Sequence, residues 1–228
     1  MARRAQRVER PLPAPLPPAQ RTVGQLIAES IKLYGRHFMS ALPLGVIVAA
    51  INQLTVDADR MVVGGILLLA APVFSAGYAY ACQLEAGRRA ARGSWITAIV
   101  VGTLIFVPAA LLFPWFALAA VLWLALAGLA VPAAMYEGTP FMASLRRGFA
   151  LGRVDYVHAA GALATLVILF FLMRIGLALL LESQADNTVR TAIFLSDAVL
   201  APLLFLGGAI LYVDQEARLR SRGQQTKE

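Results

Sequence analysis

Apolar residues run along this chain in six blocks that are long enough, or nearly long enough, to cross a bilayer, and the polar residues fall between them. The clearest stretch extends from Trp95 to Met135 without a single Asp, Glu, Lys, Arg or His. A spanning helix needs about 20 mostly apolar residues, so this stretch holds two crossings. They divide at Phe113-Pro114-Trp115-Phe116, where a turn flanked by aromatics suits the membrane surface. The pattern predicts spans at 38–54, 61–82, 95–113, 115–135, 157–181 and 192–213. The first is the weakest, being short and carrying Pro43 and Asn52. The expected fold class is all-α: a polytopic transmembrane helical bundle, one membrane domain over 22–218.

Two further segments keep a helical period but are amphipathic. Thr22 is placed as an N-cap with Gln25 at the capping-box position. Val23, Leu26, Ile27, Ile31 and Tyr34 then share one face, and Gln25, Glu29, Lys32 and Arg36 share the other. A short helix of this kind beside a span lies in the interface, its cations against anionic headgroups; a water-exposed extension of the first span is the alternative. The segment 136–153 repeats the device. Thr139 is placed as its cap and Pro140 in its first turn. Phe141, Leu145 and Phe149 recur every four residues on one face, which leaves Arg146, Arg147 and Arg153 free to meet phosphates.

Composition agrees with a membrane protein: 59% of residues are hydrophobic and 14% charged, and the mean hydropathy is +0.70, against about 25% charged in soluble proteins. The net charge of +7 does not point to nucleic acid, because the basic residues are spread among short segments between apolar runs. It reads instead as topology. The segments that would share a side with the termini hold seventeen Lys and Arg, whereas those on the other side hold only Arg60 and Arg190. The positive-inside rule therefore places both termini in the cytoplasm, with the protein in the cell's inner (plasma) membrane. Residues 1–21 form an Arg/Pro-rich arm expected to be disordered, with Arg3, Arg4, Arg7 and Arg10 ahead of a proline run from Pro11, and 219–228 form a short cytoplasmic tail. No apolar h-region follows Arg3-Arg4, so no cleaved signal is expected.

Three places carry a family resemblance. They are Thr22-Val23-Gly24-Gln25-Leu26-Ile27 through Leu33-Tyr34-Gly35-Arg36-His37-Phe38; Glu137-Gly138 followed by Leu145-Arg146-Arg147-Gly148-Phe149-Ala150-Leu151; and Leu211-Tyr212-Val213-Asp214-Gln215-Glu216-Ala217-Arg218. Together they resemble the bacterial polytopic membrane domain found alone or fused ahead of glycerophosphodiester phosphodiesterases. The resemblance runs from about Thr22 to Arg218 and implies a stand-alone membrane module. Gly148-Phe149 stands where a Ser-Trp-like pair is usual in the family, and Glu216 where a second basic residue is common. No phosphodiesterase activity is expected.

Candidate chemistry is sparse. The lone Cys82 reads as a packing residue, and it excludes an internal disulfide or a multi-thiolate metal site. His37 and His158 lack helpers at ligand spacing, and no nucleophile elbow or phosphate loop is present. No catalytic residue, cofactor or metal is assigned. Inside the membrane, Arg174 costs about 2.5–3.5 kcal/mol on insertion scales. It lies about seven residues from the outer end of the fifth span, and Asp197 lies at matching depth in the sixth. If those spans form a hairpin, the two make an ion pair. Snorkelling to the surface, or a polar cavity for an anionic substrate or lipid phosphate, would account for the same residue.

Small residues in Ser75-Ala76-Gly77-Tyr78-Ala79, at Ala160 and Ala164, and in Gly207-Gly208-Ala209 point to close helix packing. An interfacial basic helix precedes a two-span hairpin twice, at 22–82 and 139–213, as a parallel repeat; the inverted repeat of many transporters is not seen. The expected function is a non-catalytic module that engages anionic membrane lipid, or a protein partner that includes a second copy, through Lys32, Arg36, Arg146, Arg147 and Arg153. A carrier or channel for a small solute or lipid, using Arg174 and Asn52, is the second reading. A membrane enzyme of lipid metabolism is the third, and it would require clustered acid, base or metal ligands.

Overall fold

A computed structural model describes residues 16–87 and 90–225. The expectations for Arg3, Arg4, Arg7, Arg10, the start of the proline run, Arg88, Arg89 and Lys227 lie outside the described residues. The remainder of the arm is structured: Pro18–Gln20 form a single 3-10 turn and Arg21 follows in extended backbone.

The chain folds as an all-α bundle. Its helices are α1 (Val23–Arg36), α2 (Phe38–Leu54), α3 (Arg60–Ala86), α4 (Arg92–Leu112), α5 (Ala117–Ala127), α6 (Ala130–Glu137), α7 (Phe141–Val154), α8 (Tyr156–Leu180) and α9 (Asp186–Gln225). Five helical stretches are long and apolar enough to cross a membrane: α3, α4, the α5–α6 pair, α8 and α9. A sixth crossing depends on α2, whose 17 residues reach about 25 Å, just short of the bilayer's hydrocarbon core of about 30 Å. α2 packs along α9 for most of its length, and its far end meets the start of α9, where Gln53 donates to the Arg190 carbonyl (3.0 Å).

The helix boundaries have local causes. The Thr22 hydroxyl accepts from the Gln25 amide while the Gln25 side chain accepts from the Thr22 amide, which is the reciprocal capping box expected at the start of α1. At His37 the chain bends by 106°, so α1 lies across the end of α2 rather than extending it. α1 then buries Leu26, Ser30, Leu33 and Tyr34 against α8 and α9. Burying a leucine as completely as Leu26 contributes about 2 kcal/mol. Gly138, at φ +64°, terminates α6 in the left-handed conformation that favours glycine.

α7 departs from the expectation in two respects. Pro140 itself takes the N-cap position, and the Thr139 hydroxyl is bonded to Ser144 Oγ instead (2.8 Å). Its Phe141, Leu145 and Phe149 do share a face, but that face packs on Val101, Ile105, Ala127 and Ala130 of the bundle rather than entering lipid. Backbone approach explains the docking. A Cβ at Gly148 would overlap Ala130, and one at Gly152 would overlap the Leu126 carbonyl, so α7 presses a small-x-x-x-small stripe onto the break between α5 and α6.

The same logic holds α9 in the centre. A Cβ at Gly45 would overlap the Ala198 carbonyl, one at Gly207 would meet Leu166, and one at Gly208 would meet the Tyr78 ring. Pro202 cannot donate the helical hydrogen bond that Ala198 would otherwise accept, which leaves that carbonyl free to take the close approach of α2. α9 is 40 residues long, about 60 Å, so it extends well beyond the bilayer at the end bearing both described termini. That end is called here the basic face.

Candidate functional site: a polar hub at the basic face and an ion pair within the bundle

At the basic face, four segments that are distant in sequence are tied to the last turns of α9. Arg21 Nη1 donates to Asp214 Oδ1 (2.8 Å), joining the chain's beginning to its end. Arg218 donates to Asp155 Oδ2 (2.7 Å) and to the Arg21 carbonyl (2.7 Å). Gln215 donates to the Asp155 carbonyl (2.7 Å). The Tyr212 hydroxyl donates to Glu137 Oε1 (2.6 Å), and Arg147 Nε donates to the same oxygen (2.7 Å). Glu216 lies 3.8 Å from Arg147 and also pairs with Arg220.

Burial makes these contacts consequential. Asp214 and Gln215 are both at 0% exposure, and a buried carboxylate is tolerated only where a cation or donors meet it. Arg147 is partly buried, which opposes its charge, yet the hydrogen bond and charge of Glu137 hold its guanidinium above the usual range. All three segments that carry the family resemblance meet in this hub: the chain around Thr22, the Glu137–Arg147 pair, and the run from Tyr212 to Arg218.

The five basic residues expected to face lipid or a partner separate into two groups. Arg147 is turned inward to Glu137, and Lys32 is bonded to Glu29 along α1 (2.8 Å). That bond holds the Glu29 carboxyl below its ordinary value. Arg36, Arg146 and Arg153 are exposed and have no ion pair among the described residues. They share the basic face, since α1 leads into α2 there and α7 leads into α8.

The second cluster lies within the bundle toward the opposite face. Arg174 Nη1 is 3.3 Å from Asp197 Oδ2, and Asn52 Nδ2 donates to the same oxygen (2.9 Å). The structure thus brings together the two residues whose depths match, and adds an amide from α2. Asp197 is 1% exposed and the Arg174 side chain 23%, so the carboxylate sits inside the bundle while the guanidinium reaches its edge over the Phe170 ring. Asp197 Oδ1 has no hydrogen-bond partner among the described residues.

Sequence reasoning missed most of the hub. Asp214, Gln215 and Arg218 stood out only as part of a closing motif and Asp155 not at all, and their pairing depends on which helices are neighbours. Among the described residues no group of three or more His, Cys, Asp and Glu is placed to hold a metal ion. His37 lies at the α1–α2 bend, and Cys82 is buried.

The class this fold defines is a multi-pass helical membrane protein. No family model, curated protein or solved structure matches the chain.

Proposed function

We propose that this protein is a non-catalytic membrane module that holds its basic face against the anionic headgroups of the cytoplasmic leaflet of the plasma membrane. The observation that carries this reading is the set of exposed guanidiniums without ion pairs, Arg36, Arg146 and Arg153, presented by two helices that the hub and close backbone packing fix to one end of the bundle. Juxtamembrane cations gain about 1 kcal/mol each near an anionic surface, and here no ordering of a loose segment is required first. Kinship with the membrane domain associated with glycerophosphodiester phosphodiesterases belongs to the same proposal. It is supported by the convergence of its three motif segments in the hub.

The test is thermal unfolding of the protein in nanodiscs with and without phosphatidylglycerol, compared with the variant Arg36→Gln/Arg146→Gln/Arg153→Gln. The wild type should be stabilised by the anionic lipid, less so at high salt, and the variant should lose that gain. Equal stability of the wild type in neutral and anionic bilayers would overturn the reading. Orientation is read separately: Cys82 is fully buried, so an Arg153→Cys variant presents a single accessible thiol, which should react from the cytoplasmic side only.

A further inference from the structure

α2 is drawn to α9 by the Gly45–Ala198 contact and packs only lightly on α3. The separation leaves a groove of about 340 Å³ between α2 and α3, lined by Ser40, Ile47, Val73, Ala76 and Trp95 and floored by Phe205 of α9. Ile47 and Val73 are exposed at its opening; α3 is long and apolar enough to cross the membrane and α2 is apolar along its length, so the opening suits hydrocarbon rather than water.

The dimensions of the groove match one leaflet. From Ser40, in the first turn of α2, to Val48 is about 12 Å along the helix, close to the half-thickness of about 15 Å of a hydrocarbon core. The groove therefore starts at the basic face and ends near the midplane. Its lower end has interfacial character: Tyr80 lines it, and Trp95, also lining it, donates through its indole nitrogen to Gln83 (3.2 Å). Arg36 closes α1 one turn before Ser40, across the 106° bend, exposed and without an ion pair among the described residues. An apolar slot one leaflet deep, with the exposed Arg36 on the adjoining helix just beyond the bend, where it shares the α1 surface with Glu29 and Lys32, fits an amphiphile with a negative headgroup.

We infer that this groove holds one acyl chain of an anionic phospholipid from the leaflet at the basic face, with the headgroup phosphate on Arg36. This deepens the reading above and rests on the basic face lying against headgroups. It differs from that reading in naming a single saturable site rather than a charged surface, and it assigns Arg36 a role that Arg146 and Arg153 do not share.

The experiment uses Trp95 as the reporter. In a Trp115→Phe/Trp123→Phe background, detergent-solubilised protein is titrated with phosphatidylglycerol or phosphatidylcholine brominated on the acyl chain, and quenching is followed. Quenching should saturate with phosphatidylglycerol, weaken at least roughly tenfold when Ala76→Phe or Val73→Phe fills the groove, weaken roughly fivefold in Arg36→Gln, and be unchanged in Arg146→Gln/Arg153→Gln. Native mass spectrometry of the protein with all its tryptophans should show one phosphatidylglycerol retained, and none with the groove filled. Quenching that does not saturate and ignores the groove-filling variants would mean annular lipid only and overturn the site; the nanodisc comparison would still decide the broader reading. Saturable quenching that is equal for the two lipids and insensitive to Arg36→Gln would overturn the assignment of the phosphate to Arg36.

Discussion

The two polar clusters of this protein solve the same problem in opposite ways. At the basic face, Arg21, Asp155, Asp214, Gln215 and Arg218 are linked through several bonds, and Glu137 takes two donors at once, although Asp214 Oδ2, Gln215 Oε1 and Arg218 Nε have no hydrogen-bond partner among the described residues. Within the bundle, Asp197 relies on one guanidinium and one amide, and its second oxygen has no partner among the described residues. The first is a network, in which a second cation, Arg218, lies near Asp214 besides Arg21. The second is a pair held at membrane depth, where nothing replaces a lost partner, and removing one partner of a buried ion pair is costlier than removing both.

That contrast can be broken experimentally, and the largest effect belongs to the contact that brings α2 to Asp197. Gly45→Val places side-chain atoms where the Ala198 carbonyl lies and should cost about 3 kcal/mol or more, read as a fall in the unfolding midpoint in detergent. Gly35→Ala, with nothing near its Cβ position, is the matched control and should be close to neutral.

Next is Arg174→Leu, which strands the Asp197 carboxylate and should destabilise by about 3 kcal/mol. Arg174→Leu/Asp197→Leu should recover most of the loss, so that a double-mutant cycle gives a large coupling energy. A double variant as unstable as the single one would show that Asn52 and the pair have a role beyond neutralising each other.

Arg21→Ala should cost less, about 1–2 kcal/mol, because Arg218 remains near Asp214 as a second cation. If Arg21→Ala proved as damaging as Arg174→Leu, the distinction between network and pair would fail. The smallest effect is expected at Glu29. Its carboxyl is held low by the Lys32 hydrogen bond, so its contribution is complete above the ordinary carboxylate range and fades as pH falls through the lowered value. Glu29→Gln should therefore shift stability by only about 0.3 kcal/mol at neutral pH, and by nothing in acid.

How much of this was legible in the sequence depended on whether the signal was local. The Thr22–Gln25 capping box and the turn at Phe113–Trp115 were readable because each is decided within a few residues. The Arg174–Asp197 juxtaposition followed from depth alone, since a hairpin of two spans aligns residues by their distance from the shared turn. The packing of α7 on the bundle was not readable. A period of apolar residues says which face is buried but not whether lipid or protein buries it, and Gly148 and Gly152, whose stripe decides the matter, carried no signal of the close approach to α5 and α6. The break at Ala127–Ala130 was equally hidden, because every residue around it is apolar and only Gly128 interrupts the run. The hub was invisible for a third reason: Arg21 and Asp214 are 193 positions apart, and no spacing rule reaches that far.

The central position of α9 also sets an order in time. Among the described membrane helices α2 is synthesised before the others and is the least able to stand alone, being short and interrupted by Pro43, while its main partner, α9, follows all of them. Through the synthesis of every intervening helix it waits without the surface it is shaped to meet. Native pairing of α2 with α9 is therefore a late event that depends on the synthesis of α9. Truncation after α8 should release α2 to proteases and quality control even though every residue of α2 is intact.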